Sequence, residues 1–343
     1  MRSTAAFIPG LALVTALHAC VGDEPGGAPA PREDASLPPQ DSAPPPPPPP
    51  PPDSSLPDAA VRLDAAPDAS SPPCDPTADF GNVTPLAGLE AKLLALNAQA
   101  KQWLDATLTD DERLLLFSAC DSPSNVDATC DIYQAALSAG VVTDVKKVDA
   151  LSSSSAFERH PTLSPDAKRV FLLRGPKIYT ASRSDPLGPF GPPVVVDSLD
   201  IAPPVFDSDP FLARSGKLYF MRGSGARTVH YATVSATAID GARQLAADLV
   251  GLDPIMADVG NEKESLLFLA KIESGAQIRR VIYTSERSGA TWSALGQKFV
   301  GAVNDANTSN FVNWVSKDAC RLYFSRGTGV AGPFKIYVAD RKK

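Results

Sequence analysis

Three charged residues stand near the start of repeated strand-like segments, and their types could support chemistry. Asp209 and Asp253 each directly precede a proline, and Arg159 lies near the equivalent place in an earlier repeat. Two carboxylates can serve as the acid and base of glycoside hydrolysis. Carboxylates that open a strand are, however, commonly turn-forming residues. We therefore treat these three residues as candidate binding residues and predict no catalytic residue.

Other reactive groups are sparse in the sequence. There is no glycine-rich phosphate loop, no Gly-x-Ser-x-Gly elbow and no metal-binding motif. Beyond the first 20 residues the only histidines are His160 and His230, and they lack the spacing of metal ligands. We therefore expect neither a cofactor nor a metal ion.

The charge is concentrated in one part of the chain. The net charge is −7, and residues 21–73 alone carry nine acidic residues and two arginines, which leaves residues 74–343 close to neutral. Nucleic-acid binding requires a basic surface that attracts the phosphate backbone. We therefore expect no nucleic-acid partner.

Two short segments recur from residue 74 onward, every 46 to 56 residues. One is an apolar triplet and the other is centred on tyrosine. β-branched and aromatic residues dominate both, and turn residues separate them, so both segments are predicted to be β-strands. The triplets begin at Leu115, Val170, Leu218, Leu266 and Leu322, and the tyrosines are Tyr133, Tyr179, Tyr231, Tyr283 and Tyr337.

A characteristic turn precedes the triplets. Residues 161–169 read Pro-Thr-Leu-Ser-Pro-Asp-Ala-Lys-Arg, with weaker copies at residues 108–111 and 315–318. This resembles the WD40-like repeat of the TolB C-terminal propeller domain, whose signature is Pro-x-Leu-Ser-Pro-Asp-Gly before an apolar strand. The resemblance implies a β-propeller and, by analogy, a protein partner in the cell envelope.

The repeat count predicts an all-β fold, a five-bladed propeller of four-stranded blades, with six blades as the alternative. The fifth unit reaches the C terminus without a fourth strand, whereas Phe80–Leu86 resembles the segment that follows the tyrosine in the second unit. We therefore expect this N-terminal segment to complete the last blade, which would remove exposed sheet edges. Apolar spacing over Leu89–Leu104 is typical of a helix and is assigned to a connection or short helix.

The five cysteines suggest two disulfides. With Cys20 lipidated, an even number remains in an oxidising compartment. Cys120 and Cys130 lie in the turn between two strands of the first unit, and we expect them to pair. Ring closure would bring Cys74, shortly before the closing strand, beside Cys320, and we expect this pair to latch the ring.

The first residues indicate export. Arg2 is followed by an apolar run that is too short to span a bilayer and ends in Leu-His-Ala-Cys. This resembles the lipobox of bacterial lipoproteins, which implies cleavage after residue 19 and lipidation of Cys20. Val21 implies sorting to the outer membrane, with the body facing the periplasm or the cell surface. Residues 20–73 hold 18 of the 34 prolines and no aromatic residue, which predicts a disordered linker.

The predicted organisation is a signal peptide at 1–19, a lipidated proline-rich linker at 20–73 and a propeller at 74–343. Because no catalytic motif is present, the sequence favours a non-catalytic platform that binds an envelope protein. The alternative is a glycan-binding or glycoside-hydrolysing propeller. In either case Arg159, Asp209 and Asp253 are expected at the mouth of the central channel.

Overall fold

The computed structural model describes residues 74–75, 78–123, 129–199, 206–223, 228–235, 238–241, 243–244, 257–259, 266–273, 278–288, 291–292, 302–329 and 332–342. These residues form five four-stranded antiparallel sheets and one α-helix. Cys20, the proline-rich linker and Asp253 lie outside the described residues. Within the described part, no helix is long and apolar enough to cross a membrane.

The elements follow one another in a regular order. The N-terminal strand and the helix are β1 (Phe80–Pro85) and α1 (Leu89–Leu96). The remaining strands are β2 (Gln102–Leu108), β3 (Leu114–Cys120), β4 (Cys130–Ser138), β5 (Val141–Lys147), β6 (Glu158–Leu163), β7 (Arg169–Arg174), β8 (Lys177–Ser182), β9 (Val194–Val195), β10 (Phe206–Leu212), β11 (Lys217–Gly223), β12 (Thr228–Thr233), β13 (Arg243–Gln244), β14 (Ala257–Val259), β15 (Leu266–Glu273), β16 (Arg279–Ser288), β17 (Thr291–Trp292), β18 (Ser309–Val315), β19 (Arg321–Gly327) and β20 (Phe334–Arg341).

Four sheets are built from consecutive strands, namely β2–β5, β6–β9, β10–β13 and β14–β17. The fifth has the order β1-β20-β19-β18, so it joins the two ends of the described chain. In its outer pair, Phe80 lies opposite Arg341 and Pro85 lies opposite Tyr337. The N-terminal segment therefore pairs with the strand expected from the repeats.

The second strand of each sheet is buried on both faces. The apolar triplets lie in β3, β7, β11, β15 and β19, and Leu115, Phe171, Leu218, Leu267 and Phe324 are fully buried. Such strands read as continuous apolar runs because protein covers both of their faces. This explains why the triplets, rather than an alternating pattern, mark the repeats.

Neighbouring sheets pack face to face through separate hydrophobic clusters. Trp314 and Tyr323 of the fifth sheet, for example, pack against Trp103 and Phe117 of the first. Similar clusters join the first sheet to the second, the second to the third, the third to the fourth and the fourth to the fifth. This is the propeller arrangement, and the all-β propeller prediction is confirmed.

The helix is shorter than its apolar spacing indicates. It buries Leu89 and Leu93 against the first sheet and ends at Leu96, so the rest of the periodic run belongs to β2. The run extends past the helix because β2 is buried along its whole length. Gly88, which precedes the helix, has a φ of 79°, and a Cβ there would lie 2.6 Å from the Val142 carbonyl oxygen.

Both predicted disulfides are confirmed. Cys74 and Cys320 are bonded, with their Cα atoms 5.6 Å apart, and they tie the start of the described chain to the first turn of the fifth sheet. Cys120 and Cys130 are bonded across the β3–β4 connection, with their Cα atoms 4.1 Å apart. The two bonds therefore constrain different parts of the fold, its N-terminal end and one hairpin.

Candidate functional site

The innermost strands of four sheets are bulged at the same level. The pairing of β2, β6, β10 and β18 with the following strand shifts there by one residue. At three of these bulges the backbone is left-handed, with φ of 60° at Asp105, 51° at His160 and 51° at Asp209. Such angles are uncommon for residues other than glycine, and bulges commonly re-aim a side chain beside a functional site.

The bulges direct four polar residues into one place, and we call Asp105, His160, Asp209 and Asn313 the bulge cluster. They line a narrow cavity of about 10 Å³ between the innermost strands. This is about the space that one water molecule needs. All four residues are buried, with His160 the most exposed at 7%.

His160 lies between the two carboxylates of the cluster. Its Nδ1 is 3.2 Å from Asp105 Oδ1, and its Nε2 is 2.8 Å from Asp209 Oδ1. A neutral imidazole carries one N–H donor, and a carboxylate only accepts. The Nδ1 contact lacks hydrogen-bond geometry, so a single N–H on Nε2 is enough for the closer contact with Asp209.

Asp105 is held in its ionised form. Burial alone would raise its pKa, but the charges of Arg159 and His160, together with the Arg159 hydrogen bond, outweigh burial and place the pKa below its ordinary value. Arg159 Nε donates to Asp105 Oδ2 at 3.0 Å. Asp105 thus serves as a fixed negative charge behind His160.

Hydroxyl groups complete the cluster. Ser208 Oγ donates to Asp209 Oδ2 at 2.7 Å. The Asn313 side-chain amide lies 2.8 Å from Ser325 Oγ, which also accepts from the Asp105 backbone N–H at 3.3 Å. The fifth sheet therefore helps to position a carboxylate of the first.

One end of the channel is crossed by an arginine. Arg214 extends from the turn after β10, and its Nε donates to Asp110 Oδ1 at 2.7 Å, in the turn after β2. Its Nη2 donates to the Val315 carbonyl oxygen at 3.1 Å, and its guanidinium lies over the Trp314 ring. The side chain thus links three sheets at the end where the innermost strands finish.

A second set of polar residues lies where the innermost strands begin. Each member is paired with an arginine at the end of the adjacent strand of its own sheet, by hydrogen bonds at Asp207 and Asn310 and by an ion pair at Glu158, and we call these pairs the strand-start clamps. The distances are 2.9 Å for Glu158–Arg174, 2.6 Å for Asp207–Arg222 and 3.0 Å for Asn310–Arg326. Each arginine also lies over an aromatic ring, Tyr179, Phe220 and Phe324 respectively.

The first sheet replaces this clamp by a disulfide. Gln102 lies opposite Cys120, just as Glu158 lies opposite Arg174 and Asp207 opposite Arg222. The Cys120–Cys130 bond therefore occupies the place that arginine takes in the second, third and fifth sheets. Because an amide and a carboxylate both serve in the clamps, the negative charge of Asp207 or Glu158 is not required for the role.

Two of the residues predicted from the sequence lie in the described part of the structure, and they differ in their position relative to the cavity. Asp209 lines the cavity, whereas Arg159 lies behind Asp105 and does not line it. The role of both as binding residues stays a prediction. Asp105 and His160 were missed, although His160-Pro-Thr-Leu and Asp209-Pro-Phe-Leu stand in the same register of the repeat. The repeat alignment placed Arg159 at that position, one residue too early.

Within the described residues, no group of three or more His, Cys, Asp or Glu side chains is arranged to hold a metal ion. The sequence matches no protein-family model, and no curated protein matches it.

Two solved structures with a similar fold are α-L-arabinofuranosidases. The catalytic domain of the GH62 α-L-arabinofuranosidase of Coprinopsis cinerea matches with a TM-score of 0.52 at 12% identity, covering 78% of this chain and 98% of that domain. The α-L-arabinofuranosidase PaAbf62A of Podospora anserina, solved with cellotriose, matches with a TM-score of 0.52 at 11% identity, covering 79% and 99%. At such identities the likeness establishes the propeller fold.

Two expectations from the sequence are wrong. The similar structures are GH62 enzymes and not TolB, which removes the analogy that suggested an envelope-protein partner. The non-catalytic platform was inferred from the absence of a local motif. The similar structures, which are α-L-arabinofuranosidases, contradict that inference. A local motif could not reveal that Asp105 and Asp209, from separate repeats, both contact His160 in the folded chain.

Proposed function

We propose that this chain is a glycan-acting propeller, specifically a glycoside hydrolase whose reacting groups lie in the bulge cluster. The observation that carries the proposal is the convergence of Asp105 and Asp209, from the first and third sheets, on the two nitrogens of His160. Two carboxyl groups with different environments are what acid–base cleavage of a glycosidic bond requires. A fold shared with two α-L-arabinofuranosidases supports the same reaction class.

The two carboxylates take different roles. Asp105, held ionised by Arg159, is the general base that accepts the proton of the attacking water. Asp209 is the general acid that donates a proton to the leaving oxygen. The imidazole between the two carboxylates leaves room for a water molecule, as the inverting mechanism requires. The His160 ring moves aside when the sugar and the attacking water enter.

The test is hydrolysis by the full chain. Arabinoxylan, xylotriose, cellotriose and nitrophenyl α-L-arabinofuranoside are the first substrates to assay, with the anomer of the product followed by NMR. Asp209→Asn and Asp105→Asn should each lower kcat by about 10²–10⁴-fold, the usual contribution of a general acid or base. Asp144→Asn, an exposed aspartate on β5, is the control and should leave kcat unchanged. Equal rates for all four proteins would refute the assignment.

One observation favours a second function, glycan binding without cleavage. The cavity at the bulge cluster holds about 10 Å³, which is far less than a sugar ring requires. If binding to the same glycans is measurable by calorimetry while no product forms over days, the chain is a lectin-like propeller and Asp209 is a binding residue.

We also infer that the propeller has five blades and that β1 closes the ring. The five four-stranded sheets and the pairing of Phe80–Pro85 with Phe334–Arg341 support this reading. Hydrogen exchange tests it, because amides of both strands should be protected to the same degree and should open together. Rapid exchange of residues 80–85 in an otherwise protected protein would contradict closure.

We further propose that the chain is exported and anchored through Cys20, at the outer membrane. The two disulfides support an oxidising compartment, since such bonds are rare in the cytosol. Metabolic labelling with palmitate should mark the wild-type chain in its native host, and Cys20→Ser should abolish the label and release the protein from the membrane fraction. Labelling of the Cys20→Ser variant would contradict the anchor site.

A further inference from the structure

A groove opens beside the channel, on the face where the innermost strands begin. It has a volume of about 660 Å³, which is in the range of small-molecule sites. We call it the face groove, and its lining residues come from the start of β4, the end of β5 and the connection into β6. They are Thr129, Cys130, Asp131, Lys147, Asp149 and Ser152–Phe157.

The face groove adjoins the strand that carries part of the bulge cluster. Its wall ends at Phe157, which directly precedes β6, the strand of Arg159 and His160. At the other end of the innermost strands, Arg214 contacts Asp110 and Val315. A ligand in the groove thus lies beside the N-terminal end of β6.

The chemistry of the groove suits a carbohydrate. Phe157 is 39% exposed, so part of its ring is accessible at the groove. An aromatic ring of this kind can pack against the C–H face of a sugar. Consecutive serines provide hydroxyl groups, and the Lys147–Asp131 ion pair, at 2.7 Å, adds a donor and an acceptor at the rim. A few polar groups around an apolar platform are what fix the orientation of a small ligand.

The groove wall is preorganised by hydrogen bonds. The Ser153 backbone N–H donates to Glu158 Oε2 at 3.1 Å, and Glu158 is held in turn by Arg174. The Gly175 backbone N–H donates to the Phe157 carbonyl oxygen at 3.1 Å. The loop that presents the aromatic ring is therefore anchored at both of its ends, which lowers the entropy lost when a ligand binds.

We propose that the face groove binds an oligosaccharide, with Phe157 stacking on a sugar ring outside the reacting centre. This rests on the proposed function, and it adds the substrate class: a polysaccharide chain rather than a free monosaccharide. The groove holds the chain while the bulge cluster receives the sugar to be released.

The experiment compares a polymer with a small substrate, using the full chain. Phe157→Ala should weaken binding of arabinoxylan, measured by affinity electrophoresis, by about tenfold, which corresponds to the loss of one stacking contact. It should raise KM for arabinoxylan to a similar extent and leave kcat/KM for nitrophenyl α-L-arabinofuranoside unchanged. Phe157→Trp should retain binding of the polymer. Leu187→Ala, which removes another exposed apolar side chain outside the groove, is the matched control.

The outcomes separate this inference from the proposed function. Polymer binding lost in Phe157→Ala but without hydrolysis by the wild-type chain would support the groove and refute the hydrolase. Hydrolysis by the wild-type chain with equal polymer KM in Phe157→Ala would refute the groove alone. Absence of both binding and hydrolysis in the wild-type chain would overturn both.

Discussion

Two layers of polar residues lie on the same innermost strands, only two or three residues apart, and they differ in how they are satisfied. In the strand-start clamps each polar residue bonds to an arginine or faces a cystine within its own sheet. In the bulge cluster Asp105, His160 and Asp209 contact one another across three sheets. The strand-start clamps repeat the same pairing with arginine in three sheets, whereas the bulge cluster has different residue types at equivalent positions.

This difference separates scaffold from candidate site. A carboxylate whose equivalent in another sheet is an asparagine with the same arginine partner has a structural role, as Asp207 and Asn310 illustrate. A carboxylate that contacts a charged or ionisable side chain of another sheet, such as Asp105 or Asp209, depends on the packing of the sheets for its environment. Buried charges of the second kind, with a displaced pKa, are the usual candidates for function.

The largest difference is expected when one carboxylate of β10 in the bulge cluster and one in the strand-start clamps are each replaced by an amide. Asp209→Asn should lower glycan hydrolysis by about 10²–10⁴-fold, because the proton-transferring group is lost. Asp207→Asn should leave kcat unchanged, because the asparagine reproduces the Asn310–Arg326 clamp. Both variants should keep the wild-type circular dichroism spectrum. Equal loss of activity in the two variants would remove the distinction between the layers.

The disulfides should differ in the stability that they contribute. The cysteines of Cys74–Cys320 are 246 residues apart and those of Cys120–Cys130 are 10 apart. Chain entropy then predicts a loss of about 5 kcal/mol for Cys74→Ala/Cys320→Ala and about 3 kcal/mol for Cys120→Ala/Cys130→Ala. Denaturant unfolding of the double variants measures both values. A larger loss of stability in Cys120→Ala/Cys130→Ala would mean that the Cys120–Cys130 bond stabilises the fold mainly through its position in place of a clamp.

Two clamp arginines should differ in their effect when removed. Arg222→Ala leaves the buried carboxylate of Asp207 without its ion pair, a loss of about 3–5 kcal/mol. Arg326→Ala leaves only the neutral amide of Asn310, a loss of about 1–3 kcal/mol. The free energy of unfolding in urea provides the comparison. Equal values would show that stacking on the aromatic rings, and not charge, decides the strength of a clamp.

The smallest effect is on the pH dependence of stability. The pKa of Asp105 lies below its ordinary value of 3.8, because Arg159 and His160 outweigh burial and the nearby Asp209. The stabilisation is therefore present above pH 3.8 and is lost as the pH falls through the lower folded pKa. The difference in Tm between wild type and Asp105→Asn should be constant near pH 5 and shrink below pH 3.8. A constant difference down to pH 2 would contradict this assignment.

Much of the fold could be predicted because each repeat contains the same signals. The triplets and tyrosine segments marked ten of the strands, and the unpaired segment at Phe80 indicated its partner at the other end of the described chain. The helix ends before the apolar spacing does, because the strand β2, which is buried along its whole length, continues that spacing. Local periodicity cannot distinguish those two cases.

The candidate site could be predicted only in part. Asp209-Pro pointed to the correct level of the strand, but in the preceding repeat Arg159 was chosen near the equivalent place, although His160 is the residue that directly precedes the proline. The pKa displacement of Asp105 depends on Arg159, which is 54 residues away in sequence. No spacing rule within one repeat contains that information.

The sequence by itself determined that this chain repeats a four-stranded unit, that its cysteines pair in two bonds and that residues 74–343 carry almost no net charge. The tertiary structure decided which polar residues meet. Strand propensity and apolar patterning depend on residues that are close in sequence. The bulge cluster, in contrast, combines residues from different sheets that are far apart in sequence. The cluster therefore exists only once those sheets pack together.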